Sequence, residues 1–255
     1  MIYIVMFAIG IAFGSFLSML IPRIYKSEKG MFFGRSHCFS CKKTLKALDL
    51  IPVFSYLWNR AKCRFCGEKI PHLYLLIELA TGLIFVLTYH FFRFETPAEA
   101  PLTIYYLIMG LALVFTFFYD LKYLEISDLI LVPGIVLGLA GALVFEEAPG
   151  IVSALIGAVI GAGFFLAQFL LSKGKWVGGG DFRIGAFMGA LLGWQMTLTA
   201  LAVSYVIGSM VSIPLLLFGK KKMKEKIALG PFLVAGTFVA LFAGESIFNW
   251  YFNLI

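Results

Sequence analysis

Residues 151–172 read IVSALIGAVIGAGFFLAQFLLS, an apolar run of 22 residues without a charged side chain. A run of this length, folded as a helix, can cross the ~30 Å hydrocarbon layer of a bilayer. Similar runs recur along nearly the whole chain, which is 61% hydrophobic and 14% charged, with a mean hydropathy of +0.94. Water-soluble globular domains carry about 25% charged residues. The sequence therefore predicts an all-α integral membrane protein.

We expect eight membrane-spanning helices, joined by short polar segments and one longer loop. The predicted spans are residues 2–22, 73–92, 101–119, 129–146, 151–172, 184–197, 199–218 and 229–254. The sixth span is short for a full crossing, so we interpret it as a half-span or as the tilted arm of a hairpin with the seventh. This pattern predicts three parts: a first helix at 1–22, a soluble loop at 23–72 and a membrane core at 73–255.

Basic residues predict the orientation of these helices, because Lys and Arg collect on the cytoplasmic side of short loops. The first span has no cation before it and Arg23, Lys26 and Lys29 after it, so we expect an uncleaved N-terminus on the outer side. With that orientation, every basic residue except Arg93 falls in a cytoplasmic loop. Five lysines between residues 220 and 226 are expected at lipid headgroups. The net charge of +7 therefore reflects the topology, strengthened by attraction to the anionic lipid of the bilayer, and we expect no nucleic-acid partner.

The loop at residues 23–72 contains all four cysteines of the chain, Cys38, Cys41, Cys63 and Cys66. They form two Cys-x-x-Cys pairs with 21 residues between them. Two such pairs can complete a closed tetrahedral site for structural zinc. Disulfides are the alternative, and the predicted cytoplasmic location disfavours them because that compartment keeps thiols reduced. A loop of this size buries little core, so we expect metal binding to supply much of its folding free energy.

Three aspartates stand at the cytoplasmic ends of predicted spans, namely Asp120, Asp128 and Asp181. A carboxylate at membrane depth is costly, which indicates a functional role. The predicted topology brings Asp120 and Asp181 to the same face, although they are 61 positions apart. Two carboxylates close together in a partly dry site share one proton, as in an aspartic protease. The ionised member would take a proton from an attacking water while the protonated member polarised the peptide carbonyl.

Glycine is frequent around these aspartates and inside the spans. The triplet at 178–180 would let a substrate strand or another helix approach Asp181 closely, or it could be a flexible turn with Asp181 as the helix N-cap. For Asp128 we favour an N-cap of the fourth span, and Glu78 inside the second span needs a partner. Glycines at small-xxx-small spacing are expected to pack helices closely. They are Gly10 with Gly14, Gly134 with Gly138, Gly157 with Gly161, and Gly185 with Gly189 and Gly193.

These motifs together resemble the type IV prepilin peptidases, the leader peptidases and N-methyltransferases of pilus and type II secretion systems. The resemblance covers almost the whole chain. The matching segments are GSFL at 14–17, the two cysteine pairs, IPVFSYL at 51–57, the aspartates at 120 and 128, GGGD at 178–181 and GPFL at 230–233. Ser18, Ser127 and Arg183 stand where the family usually has asparagine, proline and lysine.

The resemblance implies that Asp120 and Asp181 are the catalytic aspartates of an endopeptidase in the bacterial inner membrane. The residues implied to support the catalytic loop are Gly178, Gly180, Asp128 and Arg183. The implied reaction removes a short basic leader from type IV prepilins or pseudopilins, on the cytoplasmic side and after a glycine. A second implied activity is N-methylation of the new N-terminus, with S-adenosylmethionine as methyl donor.

Two other classes of protein fit part of the pattern. A proton- or cation-coupled carrier with a zinc-stabilised loop would also hold carboxylates in the membrane, but it predicts internal repeats and carboxylates near mid-bilayer. An intramembrane aspartyl protease of the presenilin and signal-peptidase kind shares a glycine-then-aspartate motif, but it is expected to lack the tetracysteine loop. We therefore expect prepilin processing, with the carrier as the alternative.

Overall fold

The computed structural model shows a chain built from helices. It describes residues 1–28, 31, 34, 36–38, 40–94, 96–218 and 227–253. The helices are α1 (Ile2–Tyr25), a 3₁₀ turn (Ala47–Leu50), α2 (Phe54–Trp58), α3 (His72–Phe91), α4 (Ala100–Tyr123), α5 (Asp128–Val144), α6 (Ile151–Ser172), α7 (Asp181–Leu217) and α8 (Gly230–Phe252). The described part of the chain contains no strand, which confirms the all-α fold class. Lys29 and the lysines predicted at lipid headgroups between 220 and 226 lie outside the described residues.

Six of the described helices are long and apolar enough to cross a membrane, namely α1, α3, α4, α6, α7 and α8. α5 is a shorter apolar helix of 17 residues. α6 has the bounds expected from the sequence, and α3 begins and ends one residue earlier than expected. By their internal contacts the helices form two compact units, Met1–Phe115 and Thr116–Ile255.

α7 contains a break that divides it into two arms. Gly193 has φ 71° and ψ 175°, a backbone conformation that is essentially restricted to glycine. Before the break, Gly185 packs on Gly161 and Gly189 packs on Gly157, so closely that an added Cβ would collide with the facing backbone. In these two contacts the higher residue number in α7 pairs with the lower one in α6, so the first arm runs antiparallel to α6.

The second arm of α7 runs in the opposite direction. The N–H of Trp194 donates to Ser153 Oγ at 3.3 Å, and the Gln168 amide donates to the Tyr205 hydroxyl at 3.1 Å. In these two contacts the higher residue number in α7 pairs with the higher one in α6, so the second arm runs parallel to α6. The two arms form the hairpin that was expected for the sixth and seventh spans. With the two arms of α7 counted separately and α5 included, the described residues contain eight apolar helical segments in the order of the eight predicted spans, and six helices are long and apolar enough to cross a membrane.

The reversal corrects one predicted boundary. We expected the sixth span to end near residue 197 and the seventh to begin at residue 199. The chain reverses at Gly193 instead, because glycine adopts a positive φ without a steric penalty. Thr197 lies inside the second arm, where its hydroxyl donates to the Gly193 carbonyl at 2.6 Å.

Small residues allow the helices of the first unit to pack closely. A Cβ on Gly10 would collide with Gly82, and a Cβ on Gly14 would collide with the backbone of Glu78. α1 and α3 are therefore antiparallel neighbours with little space between their backbones. This confirms the packing role predicted from the spacing of the two α1 glycines.

In the second unit, α7 packs against α5, α6 and α8. The end of this unit where α5, α7 and α8 begin also holds the last turn of α4. A Cβ on Gly180, just before α7, would collide with Ile126 in the segment between α4 and α5. A Cβ on Gly230, the first residue of α8, would collide with the Asp120 carboxylate of α4. Four polypeptide segments therefore meet at one end of the second unit.

Candidate active site and metal site

Asp120 lies in the last turn of α4, with its side chain directed at the start of α8. Only 5% of the residue is exposed. The backbone N–H of Gly230 donates to Asp120 Oδ2 at 2.8 Å. This N–H belongs to the first turn of a helix, where backbone donors have no partner within the helix. The α8 N-terminus therefore fixes the orientation of the Asp120 carboxylate.

Asp181 is the first residue of α7 and is as buried as Asp120, with 5% exposed. Its Oδ2 accepts the backbone N–H of Gly178 at 2.7 Å, so the side chain reaches back into the glycine triplet. A Cβ on Gly178 would lie 3.4 Å from the same oxygen, which is ordinary contact distance. The glycine turn thus serves as a backbone support for this carboxylate.

The two carboxylates form a pair at this end of the second unit. They lie close enough to interact electrostatically, and Ile184, one turn after Asp181, approaches Gly230 beside Asp120. Each aspartate uses Oδ2 for its glycine N–H. In the described part of the chain, no protein donor contacts Oδ1 of either aspartate. The arrangement leaves one oxygen of each carboxylate for a water molecule or a substrate.

Arg183 and Asp128, which the resemblance implies as loop support, contact each other. Arg183 Nη1 lies 2.9 Å from Asp128 Oδ1, so an ion pair joins the first turns of α7 and α5. The expectation that Asp128 caps α5 is wrong, because Ser127 is the N-cap residue and Asp128 is already helical. The Asp128 carboxylate points to the arginine rather than to the backbone of its own helix.

The four cysteines lie in two turns with the same backbone pattern. In the first turn, the N–H of Cys38 donates to the Lys43 carbonyl and the N–H of Lys42 donates back to the Cys38 carbonyl. In the second turn, Cys63 bonds to Glu68 and Gly67 in the same two ways. The repeated hydrogen bonds explain why each Cys-x-x-Cys segment presents both of its sulfurs to one side.

The sulfur atoms fit a tetrahedral metal ion. All four lie within 4.8 Å of one another, and the Cys38 and Cys66 sulfurs are 3.8 Å apart. Tetrahedral zinc with Zn–S distances of about 2.3 Å requires sulfurs about 3.8 Å apart, whereas a disulfide requires about 2.05 Å. Backbone N–H groups of Cys41 and Ser40 lower the pKa of the Cys38 thiol to about 7, which favours the thiolate that a metal needs. For the Cys66 thiol, the lowering effect of the Glu68 backbone N–H is outweighed by desolvation and by the other three cysteines, which raise its pKa to about 12.

A cavity of about 560 Å³ lies in the first unit, among residues of α1, α3 and the loop that joins them. Glu78, Tyr56 and Tyr74 contribute to its wall. Glu78 is buried, and its Oε2 accepts the backbone N–H of Val53 at 2.7 Å, which supplies the partner that a buried carboxylate needs. Sequence patterns did not identify Val53, because its contribution is a backbone group in a loop.

The fold defines a class: multi-pass helical membrane proteins with a buried carboxylate pair and a tetracysteine module. Two family models match the chain, the bacterial peptidase A24 N-terminal domain over residues 8–92 and the type IV leader peptidase family over residues 106–213. The chain is 31% identical to the prepilin leader peptidase/N-methyltransferase of Aeromonas hydrophila, over 96% of this chain and 92% of the relative. The corresponding protein of Bacillus subtilis is 28% identical over 98% of both chains.

The chain belongs to the type IV leader peptidase family. No solved structure matched it. Family membership confirms the resemblance found from the sequence motifs, and it gives no support to a carrier.

Proposed function

We propose that this protein cleaves the leader from type IV prepilins or pseudopilins, with Asp120 and Asp181 as its acid–base pair. The observation that carries this proposal is the pair of buried carboxylates at one end of the second unit. Each has one oxygen held by a glycine N–H and the other without a protein donor in the described residues. A prepilin carries a basic leader followed by an apolar helix, so its scissile bond would lie near the membrane surface, and the predicted topology puts this pair at the same end of the spans.

The proposed reaction uses one proton shared by the two carboxylates. The ionised aspartate takes a proton from water as the water oxygen attacks the scissile carbonyl carbon. The protonated aspartate donates to the carbonyl oxygen and stabilises the tetrahedral intermediate. When the C–N bond breaks, the leaving nitrogen receives a proton from the pair, and the product amine becomes the new N-terminus. Gly178 and Gly230 hold the two carboxylates in position throughout.

Leader removal from a purified type IV prepilin, followed by mass spectrometry, tests this assignment. Asp120→Ala and Asp181→Ala are each expected to abolish the mass shift while the protein stays folded. Glu125→Gln is a matched control, because Glu125 is an exposed carboxylate in the segment that follows Asp120. Wild-type cleavage by both aspartate variants would exclude the proposed pair.

We propose zinc as the metal of the tetracysteine site, with Cys38, Cys41, Cys63 and Cys66 as its ligands. Four thiolates fill a tetrahedral shell, so the ion would hold the two turns together and leave no position for a substrate. Metal analysis of the purified protein is expected to find one zinc per chain. Replacing Cys66 with serine should lower that content, and a chain that binds no metal would contradict the proposal.

We further propose that the protein N-methylates the new N-terminus with S-adenosylmethionine, which binds in the cavity of the first unit. The donor supplies an electrophilic methyl group on a positively charged sulfur. The neutral amine would attack the methyl carbon, the C–S bond electrons would stay on sulfur, and the amine would then release a proton. The Glu78 carboxylate and the rings of Tyr56 and Tyr74 suit a cation. The cavity volume lies in the range of small-molecule sites.

Equilibrium dialysis with radiolabelled S-adenosylmethionine tests the donor site separately from cleavage. Glu78→Gln keeps an oxygen for the Val53 N–H but removes the charge, so we expect donor binding to fall and leader cleavage to persist. Glu125→Gln should bind donor like the wild type. Unchanged binding by Glu78→Gln would place the donor elsewhere without affecting the peptidase assignment.

A further inference from the structure

α2 exposes an apolar surface on the first unit. Phe54, Leu57 and Trp58 are 55%, 63% and 76% exposed, and the rings of Phe54 and Trp58 stack with their centroids 5.6 Å apart. We call these three residues the α2 surface. The opposite side of the helix carries Tyr56, which is buried and whose hydroxyl bonds to His72 Nδ1 at 2.7 Å. An apolar outer face on a helix of the loop between α1 and α3 needs an apolar partner.

Hydrogen bonds to α3 fix the position of α2 along the length of that helix. Tyr56 bonds to His72, the first residue of α3, and Val53 bonds to Glu78, six residues further along. Six helical residues span about 9 Å. The 20 residues of α3 give a helix of about 30 Å, which matches the hydrocarbon layer and leaves no excess length outside it. Because the Glu78 side chain leans toward the N-terminus of α3, the start of α2 lies between the level of His72 and a level about 9 Å further along the span.

The contact between α1 and α3 also places Glu78 away from the end of the spans. Gly14 of α1 packs on the backbone of Glu78, and the first charged residue of α1 after Gly14 is Arg23. Nine helical residues correspond to about 13 Å. Glu78, whose carboxylate accepts the Val53 N–H, therefore lies well inside the level of Arg23, the first charged residue of α1 after Gly14.

The backbone around α2 is compatible with a low-polarity environment, where unpaired N–H groups are costly. The N–H of Val53 is paired with Glu78, and those of Ser55 and Leu57 donate to the carbonyls of Ile51 and Val53 at 3.0 Å. The residue before Val53 is a proline, which has no N–H. The segment can therefore enter the interface without leaving these donors unpaired.

We propose that the α2 surface is seated in the lipid interface on the side of the bilayer where α3 begins. Phe54 and Leu57 contact acyl chains, and Trp58 lies at the level of the headgroups, where tryptophan is enriched. Arg60 and Lys62, which follow α2 and are exposed, face the phosphates of anionic lipids. Lipid is the partner because the depth set by α3 places these side chains where a bilayer already surrounds the protein.

Fluorescence quenching in vesicles tests the proposal with full-length protein. The protein has four tryptophans, and replacing Trp176, Trp194 and Trp250 with phenylalanine leaves Trp58 as the only emitter. In phosphatidylethanolamine and phosphatidylglycerol vesicles, acyl-brominated lipid is expected to remove most of the Trp58 emission. Aqueous iodide should quench it weakly. A variant that keeps only Trp250, near the end of α8, provides the reference for a tryptophan on a spanning helix.

Strong iodide quenching of Trp58 without quenching by brominated lipid would overturn the proposal. If the triple variant fails to fold, the difference between wild type and Trp58→Phe gives the same measurement.

The Leu57→Asp variant provides a second test. If lipid is the partner, Leu57→Asp is expected to lower thermal stability more in vesicles than in detergent, whereas Leu57→Met does not. If Leu57→Asp instead raised the KM for prepilin and left vesicle stability unchanged, the surface would bind substrate, and the lipid assignment would be wrong.

Discussion

Asp120 and Asp181 are each oriented by one backbone N–H from a glycine. Gly178 lies three residues before its aspartate, whereas Gly230 is 110 positions away from Asp120 and comes from another helix. A Cβ at Gly230 would collide with the Asp120 carboxylate, whereas one at Gly178 would only reach contact distance from the Asp181 carboxylate. The proposed chemistry therefore depends on two residues that contribute a backbone N–H and have no side chain.

Gly230→Ala tests that dependence. A Cβ at this position would lie 2.6 Å from Asp120 Oδ2 and 3.1 Å from Ile184 Cδ1, so the carboxylate must move. Because a misplacement of about 1 Å can reduce a rate by about 10²-fold, we expect a loss of that order in leader cleavage. Initial rates by mass spectrometry give the comparison. Gly163→Ala, where an added Cβ meets nothing within 4 Å, should cleave at the wild-type rate. Equal rates for both variants would contradict the positioning role.

The aspartates could be predicted from the sequence, but their hydrogen-bond donors could not. A carboxylate at the end of an apolar run is conspicuous, because such a run excludes charge almost everywhere else. The donors are backbone N–H groups, which every residue except proline carries. Only the fold shows that the N–H of Gly230 faces Asp120, and only the fold pairs Val53 with Glu78.

Among the elements, α7 departs most from a simple span. Its hairpin form could be expected, since the sixth apolar segment is too short for a full crossing. The position of the reversal could not be read from polarity, because the predicted boundary between residues 197 and 199 falls inside the second arm. Backbone conformation decided the position, and Gly193 is the residue that permits it.

Gly193→Ala is expected to destabilise the protein. Alanine would be strained at φ 71°, and its Cβ would lie 2.5 Å from Ser153 Oγ and 2.8 Å from Pro149 Cβ. We expect a loss of about 1–3 kcal/mol from the backbone strain alone. Thermal unfolding in detergent measures it. Gly150→Ala is the matched control, since no atom lies within 4 Å of its added Cβ. A variant as stable as this control would show that the reversal does not require glycine.

Removal of the proposed zinc should affect the two cysteine turns and spare the membrane helices. The turns have few backbone hydrogen bonds and no large core, so a chelator is expected to open residues 36–70 to proteases. Limited proteolysis before and after chelation gives the cleavage pattern, and circular dichroism follows helix content. An unchanged pattern after metal analysis has confirmed the loss of zinc would argue against a structural metal.

The distribution of charge along the chain predicts the orientation of the protein in the membrane. Lys173 and Lys175 lie in the loop before α7, at the end of the second unit that holds the two aspartates. Glu146 and Glu147 lie in the turn between α5 and α6, at the other end of the unit. Positive residues mark the cytoplasmic side. The orientation with the aspartates facing the cytoplasm and the N-terminus outside remains a prediction, as does the division at residues 22 and 72.

Thiol labelling in intact cells tests this orientation. In a Glu146→Cys variant, a membrane-impermeant maleimide should react from outside. In a Lys175→Cys variant it should react only after the membrane is permeabilised. Wild-type protein gives the background from the four native thiols. The opposite labelling pattern would reverse the predicted topology.

The short first arm of α7 also determines the depth of the carboxylate pair. The contact of Gly161 with Gly185 sets a register in which Asp181 is level with Phe165, about 10 Å before the end of α6 at Ser172. We expect the polar turn between them to form a notch in the bilayer, where the hydrocarbon would be locally thinner than around the longer helices. A hydrophobic mismatch of this kind is sensitive to lipid. Leader cleavage in reconstituted vesicles should therefore slow as acyl chains lengthen, because thicker membranes restrict the access of water to a recessed site.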